Sequence, residues 1–332
     1  MRRRGWSEQL QNRACFLGKN EESSRMNTST AVSSLRVWVW AVRPRTLPLA
    51  AAAIILGYGL AAMHGYSRPD VFGLALLTAL LLQVLSNLAN DYGDAASGAD
   101  TDERVGPARM VGSGLATPQQ MFRAVILAVA LALLSGVALV CVAAWGRWAV
   151  FGGFVALGAA SVAAAVAYTM GKRPYGYIGL GDVMAGLFFG PVPVIGCVVL
   201  CGSPVVPAMW LPALAAGLCS TAVLNVNNMR DIETDRLSGK MTVAARLGVE
   251  NARLYHAALA GLVVLLWGAF WLQENPRLLP GLVLALPLAR SAWLATRRNA
   301  DAACLNAQLR GTVLSSALLN TGMALLCLLN AP

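Results

Sequence analysis

NLANDYGDAASGADTDER, residues 87–104, follows directly on a long apolar run, and NVNNMRDIETDRLSG, residues 225–239, does the same further along the chain. Of the 16 acidic residues in the protein, eight fall in these two stretches: Asp91, Asp94, Asp100, Asp102, Glu103, Asp231, Glu233 and Asp235. If the apolar runs are helices, residues three and four apart share a face. Asn87, Asn90, Asp91 and Asp94 then fall on one side of the first helix, and Asn227, Asp231 and Asp235 on one side of the second. Oxygen donors without His or Cys suit Mg2+, which is held by a few carboxylates together with substrate phosphates. Two carboxylates about 6 Å apart repel by roughly 3 kcal/mol at an effective dielectric near 20. Such a cluster therefore calls for a divalent cation or for protonation. Acid clusters at helix ends are often only solvated caps, but two with matching Asn/Asp spacing at the ends of apolar runs point to ligands.

Composition says what kind of helix carries them. With 57% hydrophobic and 13% charged residues in 332, the chain is too apolar for a water-soluble domain. Apolar windows long enough to cross about 30 Å of hydrocarbon lie at residues 46–63, 71–90, 122–145, 149–169, 178–201, 207–228, 254–272, 278–296 and 311–330. The fold class expected is an all-α, multi-pass bundle of nine spans whose partner is a lipid bilayer. With the N-terminus in the cytoplasm, the outward loops hold only Arg68, Arg147 and Arg277, out of 26 Lys and Arg. This asymmetry orients the chain, places both acidic stretches on the cytoplasmic face of the inner membrane, and leaves residues 329–332 outside. The net charge of +10 is then a signal of topology. No basic stripe interleaved with aromatics exists, so no nucleic acid is expected. The seven Cys lack metal spacing and read as small packers.

Residues 1–35 are polar and Arg-rich, with no secretory signal pattern, and are expected to be a disordered extension. Met26 offers a second translation start. Residues 36–332 form one transmembrane domain, with pseudo-repeat halves of about 36–170 and 171–332. The sign of repetition is that Asp94 is followed by Ser97 and Gly98, as Asp235 is by Ser238 and Gly239. Trp38, Trp40, Arg43 and Arg45 form an interfacial collar before the first span, and the two arginines are candidates to meet an anionic substrate. Arg104 and Arg109 sit in a Gly-rich loop of about 30 residues, long enough to act as a lid. Lys172 and Arg173 follow Tyr168 at the end of the fourth span. Cations facing a carboxylate cleft make sense if a phosphate lies between them. Asp182 reads as a helix cap, and His64 and His256 lie far from both acidic stretches.

A Mg2+ site made of two acid clusters, with cations beside it and a greasy bundle behind it, fits a lipid diphosphate. Metal and cations would stabilise charge on the departing diphosphate while the tail lies among the helices. Departure from an allylic carbon leaves a carbocation that must be captured before water reaches it. NDYGD at 90–94, YTMGKRPYGYIGLGD at 168–182 and NNMRDIETD at 227–235 resemble the UbiA superfamily of intramembrane aromatic prenyltransferases. RPRTLPLA at 43–50, NLANDYGDAASGAD at 87–100 and RPYGYIGLGD at 173–182 are most similar to its 1,4-dihydroxy-2-naphthoate polyprenyltransferase branch. The resemblance covers residues 36–330. It implies a nine-helix bundle with Mg2+ as cofactor and polyprenyl diphosphate as donor. It further implies 1,4-dihydroxy-2-naphthoate as acceptor, prenylated with loss of its carboxylate to give demethylmenaquinone in menaquinone biosynthesis. By the same resemblance Asn87, Asp91, Asp94, Asp231 and Asp235 hold the metal, the four aspartates being catalytic. Asn87, Lys172, Arg173, Arg104 and Asn227 bind the diphosphate, and Arg43, Arg45 and Tyr168 meet the aromatic.

The chain departs from the resembled pattern at one place. Relatives space the first motif as NxxxDxxxD, and here Ala95 stands where the last aspartate is expected, so Asp94, Asp100 and Asp102 are all candidates to complete it. No side chain is identified as a general base. The acids, lying at helix ends, are expected to add little packing. A related enzyme acting on 4-hydroxybenzoate would share the motifs. A secondary transporter, the non-enzyme alternative, would place its ionisable groups near the bilayer midplane, and a phosphatidyltransferase would carry a DGxxAR motif that is absent.

Overall fold

An apolar segment in lipid must satisfy its own backbone, and a helix does so within one segment. In the computed structural model, which describes residues 34–97 and 109–332, all regular structure among the described residues is helical. Nine stretches among them are long and apolar enough to cross a membrane, one at each apolar window of the sequence, and the protein is a multi-pass membrane protein. The polar extension expected at residues 1–35 lies outside the described residues, apart from Ser34 and Leu35, which open the first helix.

Helix α1 (Ser34–Val42) is followed by a single 3-10 turn, Pro44–Thr46, and then by α2 (Leu47–Met63). Helix α3 (Pro69–Ala96) has 28 residues and so is roughly 42 Å long at 1.5 Å per residue. That exceeds the hydrocarbon thickness, and NDYGD occupies its last turns. A capping box between Thr117 and Gln120 opens α4 (Pro118–Ala144), and α5 (Trp148–Ala167) returns. The fifth span is broken into α6 (Gly181–Phe189) and α7 (Pro191–Leu200). The break falls at Gly190, where a Cβ would stand 2.6 Å from the backbone of Gly217, so this crossing requires a glycine. Helix α8 (Trp210–Arg230) delivers the second acidic stretch, and the short α9 (Ile232–Leu237) follows it. The chain closes with α10 (Val243–Glu274), kinked at Gly248, then α11 (Leu286–Ala295) and α12 (Ala302–Leu329).

The dry core sits away from the acidic ends, where α2, α7, α8, α10 and α12 meet. Leu56, Leu60, Trp267, Phe270, Trp271 and Met323 are fully buried there, and the Trp271 indole lies 3.3 Å from the Met323 sulfur. Helices α3 and α4 pack on each other, as do α8 and α10. Between these groups of helices the bundle is hollow toward the acidic ends.

Candidate functional site

The hollow is a cavity of about 2060 Å³, larger than the 300–1,000 Å³ of an ordinary small-molecule pocket. One part of its wall is apolar, with Ala132, Leu139, Phe154, Phe188, Val192 and Leu200. Another part is polar and carries Ser86, Asn90, Asp94, Arg109, Asn227 and Lys240. A molecule with a long greasy tail and an anionic head matches this division.

The polar wall grows out of two helix ends built alike. The hydroxyl of Ser97 donates to the carbonyl of Asp94 at 3.0 Å, and that of Ser238 to the carbonyl of Asp235 at 3.1 Å. Laid on one another by these turns, Ser86, Asn90 and Asp94 of α3 match Asn227, Asp231 and Asp235 of α8 and α9. In the first row, Asp94 is ion-paired with Arg109 and accepts from the Tyr177 hydroxyl at 2.7 Å. Arg109 also donates to the carbonyl of Asn90 at 3.2 Å. In the second row, Asp231 takes a bidentate fork from Arg230 at 2.7 and 2.5 Å. The same guanidinium reaches Asn227 at 2.9 Å and Asn306 of α12 at 2.7 Å. Asp235 faces the Lys240 ammonium at 3.4 Å, and Lys240 in turn sits 5.7 Å from the centre of the Tyr177 ring. Tyr177 thus touches Asp94 of the first row and the Lys240 cation that faces Asp235 of the second. Its loop is drawn in by Gly93 of NDYGD, where a Cβ would meet the Thr169 carbonyl at 2.6 Å, and by the Thr169 hydroxyl, which donates to the Ala89 carbonyl at 2.9 Å.

Of the residues expected from the sequence, Arg43, Arg45, Asp94, Tyr168 and Asn227 line the cavity. Asp231 and Asp235 are buried beside it in their ion pairs. Asn87 and Asp91 are also buried, but their side chains are engaged elsewhere. The Asn87 amide donates to the carbonyl of Val42 and the hydroxyl of Thr46, and the Asp91 carboxylate accepts from the backbone N–H groups of Met110 and Val111. Lys172 and Arg173 are exposed on the turn between α5 and α6 and do not line the cavity. Arg104, Asp100 and Asp102 lie outside the described residues. The expectation that the acids add little packing is corrected. Asp91 and Asp94 are each only 1% exposed, Asp231 7% and Asp235 6%, because both helix ends are covered by the loops that follow them. Among the residues that sequence reasoning left without a role, Arg230, Tyr177, Asn306 and Arg310 belong to this wall or brace it. The signal for Arg310 was a cation inside an otherwise apolar span.

Electrostatics favour an anion here. Burial pushes Arg109 down to about 9, with the nearby Arg43 cation as the second cause, against upward pulls from Asp91, Tyr177 and Asp231. It stays protonated at neutral pH, and an anion between Arg43 and Arg109 would relieve their repulsion. Burial, followed by the charge of Asp182, raises the Tyr168 phenol, and burial raises that of Tyr175 to about 12, so both remain neutral donors. For a metal, the two rows offer only hard oxygens: Asn90 and Asp94 from one, Asn227, Asp231 and Asp235 from the other. That donor chemistry fits Mg2+ completed by phosphate oxygens. Asp94, Asp231 and Asp235 are each paired with a cation of the chain, Arg109, Arg230 and Lys240, which a metal would displace and a diphosphate would attract.

Residues 50–309 match the UbiA prenyltransferase family. The chain is 50% identical over 263 residues to the 1,4-dihydroxy-2-naphthoate octaprenyltransferase of Escherichia coli, covering 76% of this chain and 85% of that protein. It is 42% identical over 241 residues to the enzyme of the same name from Haemophilus influenzae, covering 71% and 77%. Among solved structures it is similar to a UbiA homolog from Archaeoglobus fulgidus bound to GPP and Mg2+. The TM-score is 0.59 at 16% identity, over 88% of this chain and 99% of that one, a likeness of fold. A family match across residues 50–309, with 50% and 42% identity to two of its enzymes over most of the chain, places this chain in the UbiA prenyltransferase family.

Proposed function

We propose that this protein transfers the polyprenyl group of a polyprenyl diphosphate to 1,4-dihydroxy-2-naphthoate, with loss of CO2, giving the quinol form of demethylmenaquinone. The observation that carries the reading is the divided cavity, apolar in one part and polar in another, where Asp94 lines the wall and Asp231 and Asp235 are buried beside it. It occurs in a chain half identical to a naphthoate octaprenyltransferase.

Asn90 and Asp94 from the first row and Asp231 and Asp235 from the second would hold Mg2+. Bound there, it would neutralise the diphosphate and favour its departure. Arg109, Lys240 and Asn227, which line the polar wall, would bind the diphosphate oxygens, and Arg104, outside the described residues, is proposed to join them. Exposed Lys172 and Arg173 would attract the anion from outside the cavity. Arg43, with Arg45, takes the naphthoate carboxylate, and Tyr168 lines the wall against which the rings lie. As the allylic C–O bond breaks, its electron pair leaves with the diphosphate, and the ring carbon bearing the carboxylate forms the new C–C bond. The electrons of the C–CO2 bond then return to the ring. No ring proton has to be removed, which is consistent with a wall without a histidine. The apolar wall excludes water from the cation. The two helix-end rows support a pseudo-repeat of halves at about 36–170 and 171–332. The Lys/Arg asymmetry supports an inner-membrane protein with a cytoplasmic N-terminus and a cavity opening to the cytoplasm.

The test is turnover by membranes holding the protein, given polyprenyl diphosphate and Mg2+ with either 1,4-dihydroxy-2-naphthoate or 4-hydroxybenzoate, and EDTA as control. Prenylated product and CO2 with the naphthoate alone are expected. Product with the benzoate alone would overturn the choice of acceptor.

A further inference from the structure

Helix α3 presents two polar rows side by side. Ser86, Asn90 and Asp94 line the cavity, whereas Gln83, Asn87 and Asp91, each three positions earlier, are buried and, apart from Gln83, do not. Buried polar groups need partners, and apart from Gln83 Oε1 these find them in two turns, each carrying a cation that lines the cavity. Asn87 Nδ2 donates to the Val42 carbonyl at 2.8 Å and to Thr46 Oγ1 at 3.1 Å. Gln83 Nε2 donates to Thr46 Oγ1 and to Asn87 Oδ1, both at 3.2 Å. The Thr46 hydroxyl in turn donates to the carbonyl of Arg43 at 3.0 Å. These bonds close around Arg43, whose φ of 52° and ψ of 65° make it the one non-glycine residue with positive φ among the described residues. Such a backbone persists only where its surroundings over-determine it. In the second turn, the two carboxylate oxygens of Asp91 accept from Met110 N at 2.9 Å and Val111 N at 3.0 Å, fixing the backbone immediately after Arg109.

We propose that Gln83, Asn87 and Asp91 are positioning residues, which hold the turns of Arg43 and Arg109 against the cavity and do not ligate the metal. This rests on the reading above that Arg43 meets the acceptor carboxylate and Arg109 the diphosphate. Chemistry separates the two tasks. A metal ligand at position 87 is kept or improved by Asn87→Asp. A clamp needs the amide as a donor, and a carboxylate would turn an acceptor onto the carbonyl of Val42.

The protein in lipid nanodiscs serves for the test. The readouts are KM for 1,4-dihydroxy-2-naphthoate, KM for the prenyl diphosphate, and the Mg2+ midpoint for binding of inorganic pyrophosphate without turnover. Asn87→Asp and Thr46→Val are each expected to raise KM for the naphthoate about tenfold, the loss of one or two hydrogen bonds. Both should leave the Mg2+ midpoint unchanged. Added to Arg43→Ala, neither raises that KM further, because each acts through Arg43. By the same logic Asp91→Asn weakens pyrophosphate binding in the parent but not in Arg109→Ala. A shift of the Mg2+ midpoint in Asn87→Asp, or an unchanged naphthoate KM in both Asn87→Asp and Thr46→Val beside a raised one in Arg43→Ala, would overturn the positioning role. An unchanged KM in Arg43→Ala itself would instead overturn the acceptor reading on which it rests. Thr46 is only half-buried, so Thr46→Val keeps the test decisive if Asn87→Asp does not fold.

Discussion

At the scale of single residues, the acids of this site cannot all be probed alike. Asp231 holds Arg230, whose side chain has no exposure at all, through a bidentate pair. Asp231→Asn would leave a buried guanidinium short of its counter-charge, at a cost of about 3–5 kcal/mol. Thermal unfolding in detergent should therefore show a clear fall in Tm for Asp231→Asn, and its loss of turnover would report folding as much as chemistry. Asp235 faces Lys240 at 3.4 Å, a looser pair. Asp235→Asn is expected to reduce kcat at least about 100-fold, as loss of a charge-stabilising group does, with a smaller fall in Tm than Asp231→Asn. A Tm fall as large as that of Asp231→Asn would show that the second row is structural. Outside the cavity lining, Arg297 stacks its guanidinium 4.9 Å from the centre of the Trp293 ring. Arg297→Ala should leave turnover within about twofold, since a single exposed cation–π contact contributes only about 0.5–1 kcal/mol.

At the scale of elements, α3 shows how far the sequence could be read. The helical period put Asn87, Asn90, Asp91 and Asp94 on one side, and in angle they do share it. What the period does not contain is which of two adjoining rows meets a cavity, because this depends on where the Arg43 turn and the loop after residue 108 dock. The repeat of Asp94–Ser97 in Asp235–Ser238 was visible in the sequence, and it carries the register: extended backwards, it pairs Asn90, not Asn87, with a ligand position of the second row. Lys240, Tyr177 and Arg230 were harder to assign. Each is a common residue type in a common place, and only the fold turns it inward. Gly93 offers a test of the docking. A Cβ there would lie 2.6 Å from backbone of the loop that carries Tyr177, and such overpacking costs about 1–3 kcal/mol. Gly93→Ala should lower Tm and turnover together, and adding Tyr177→Phe should do little more damage to turnover, because that loop has already been moved away from Asp94.

At the scale of the whole molecule, hydropathy was the most readable property. All nine apolar windows became spanning helices because a backbone in lipid has no other way to bond itself. The broken fifth span and the 3-10 opening of the eighth, Pro276–Ala285, were invisible to a hydropathy window, which sees length but not dihedral angles. An odd number of spans puts the two ends of the described bundle on opposite sides, and charge decides which is which. The turn at Lys172 and Arg173 and the loop at Lys240 and Arg246 lie at the acidic end of the cavity, whereas the other end has Arg68 paired with Asp70 at 2.6 Å. That pair removes one of the few cations that oppose the orientation, since a basic residue beside a carboxylate presents little net charge to the membrane potential or to anionic lipid. A reporter enzyme that is active only on the side of the membrane away from the cytoplasm, fused after Pro332, is therefore expected to be active, and the same reporter inserted after Gly171 to be silent. The reverse pattern would place the acidic rows on the outer face, away from cytoplasmic Mg2+ and diphosphates, and the proposed reaction would then have no supply of its donor.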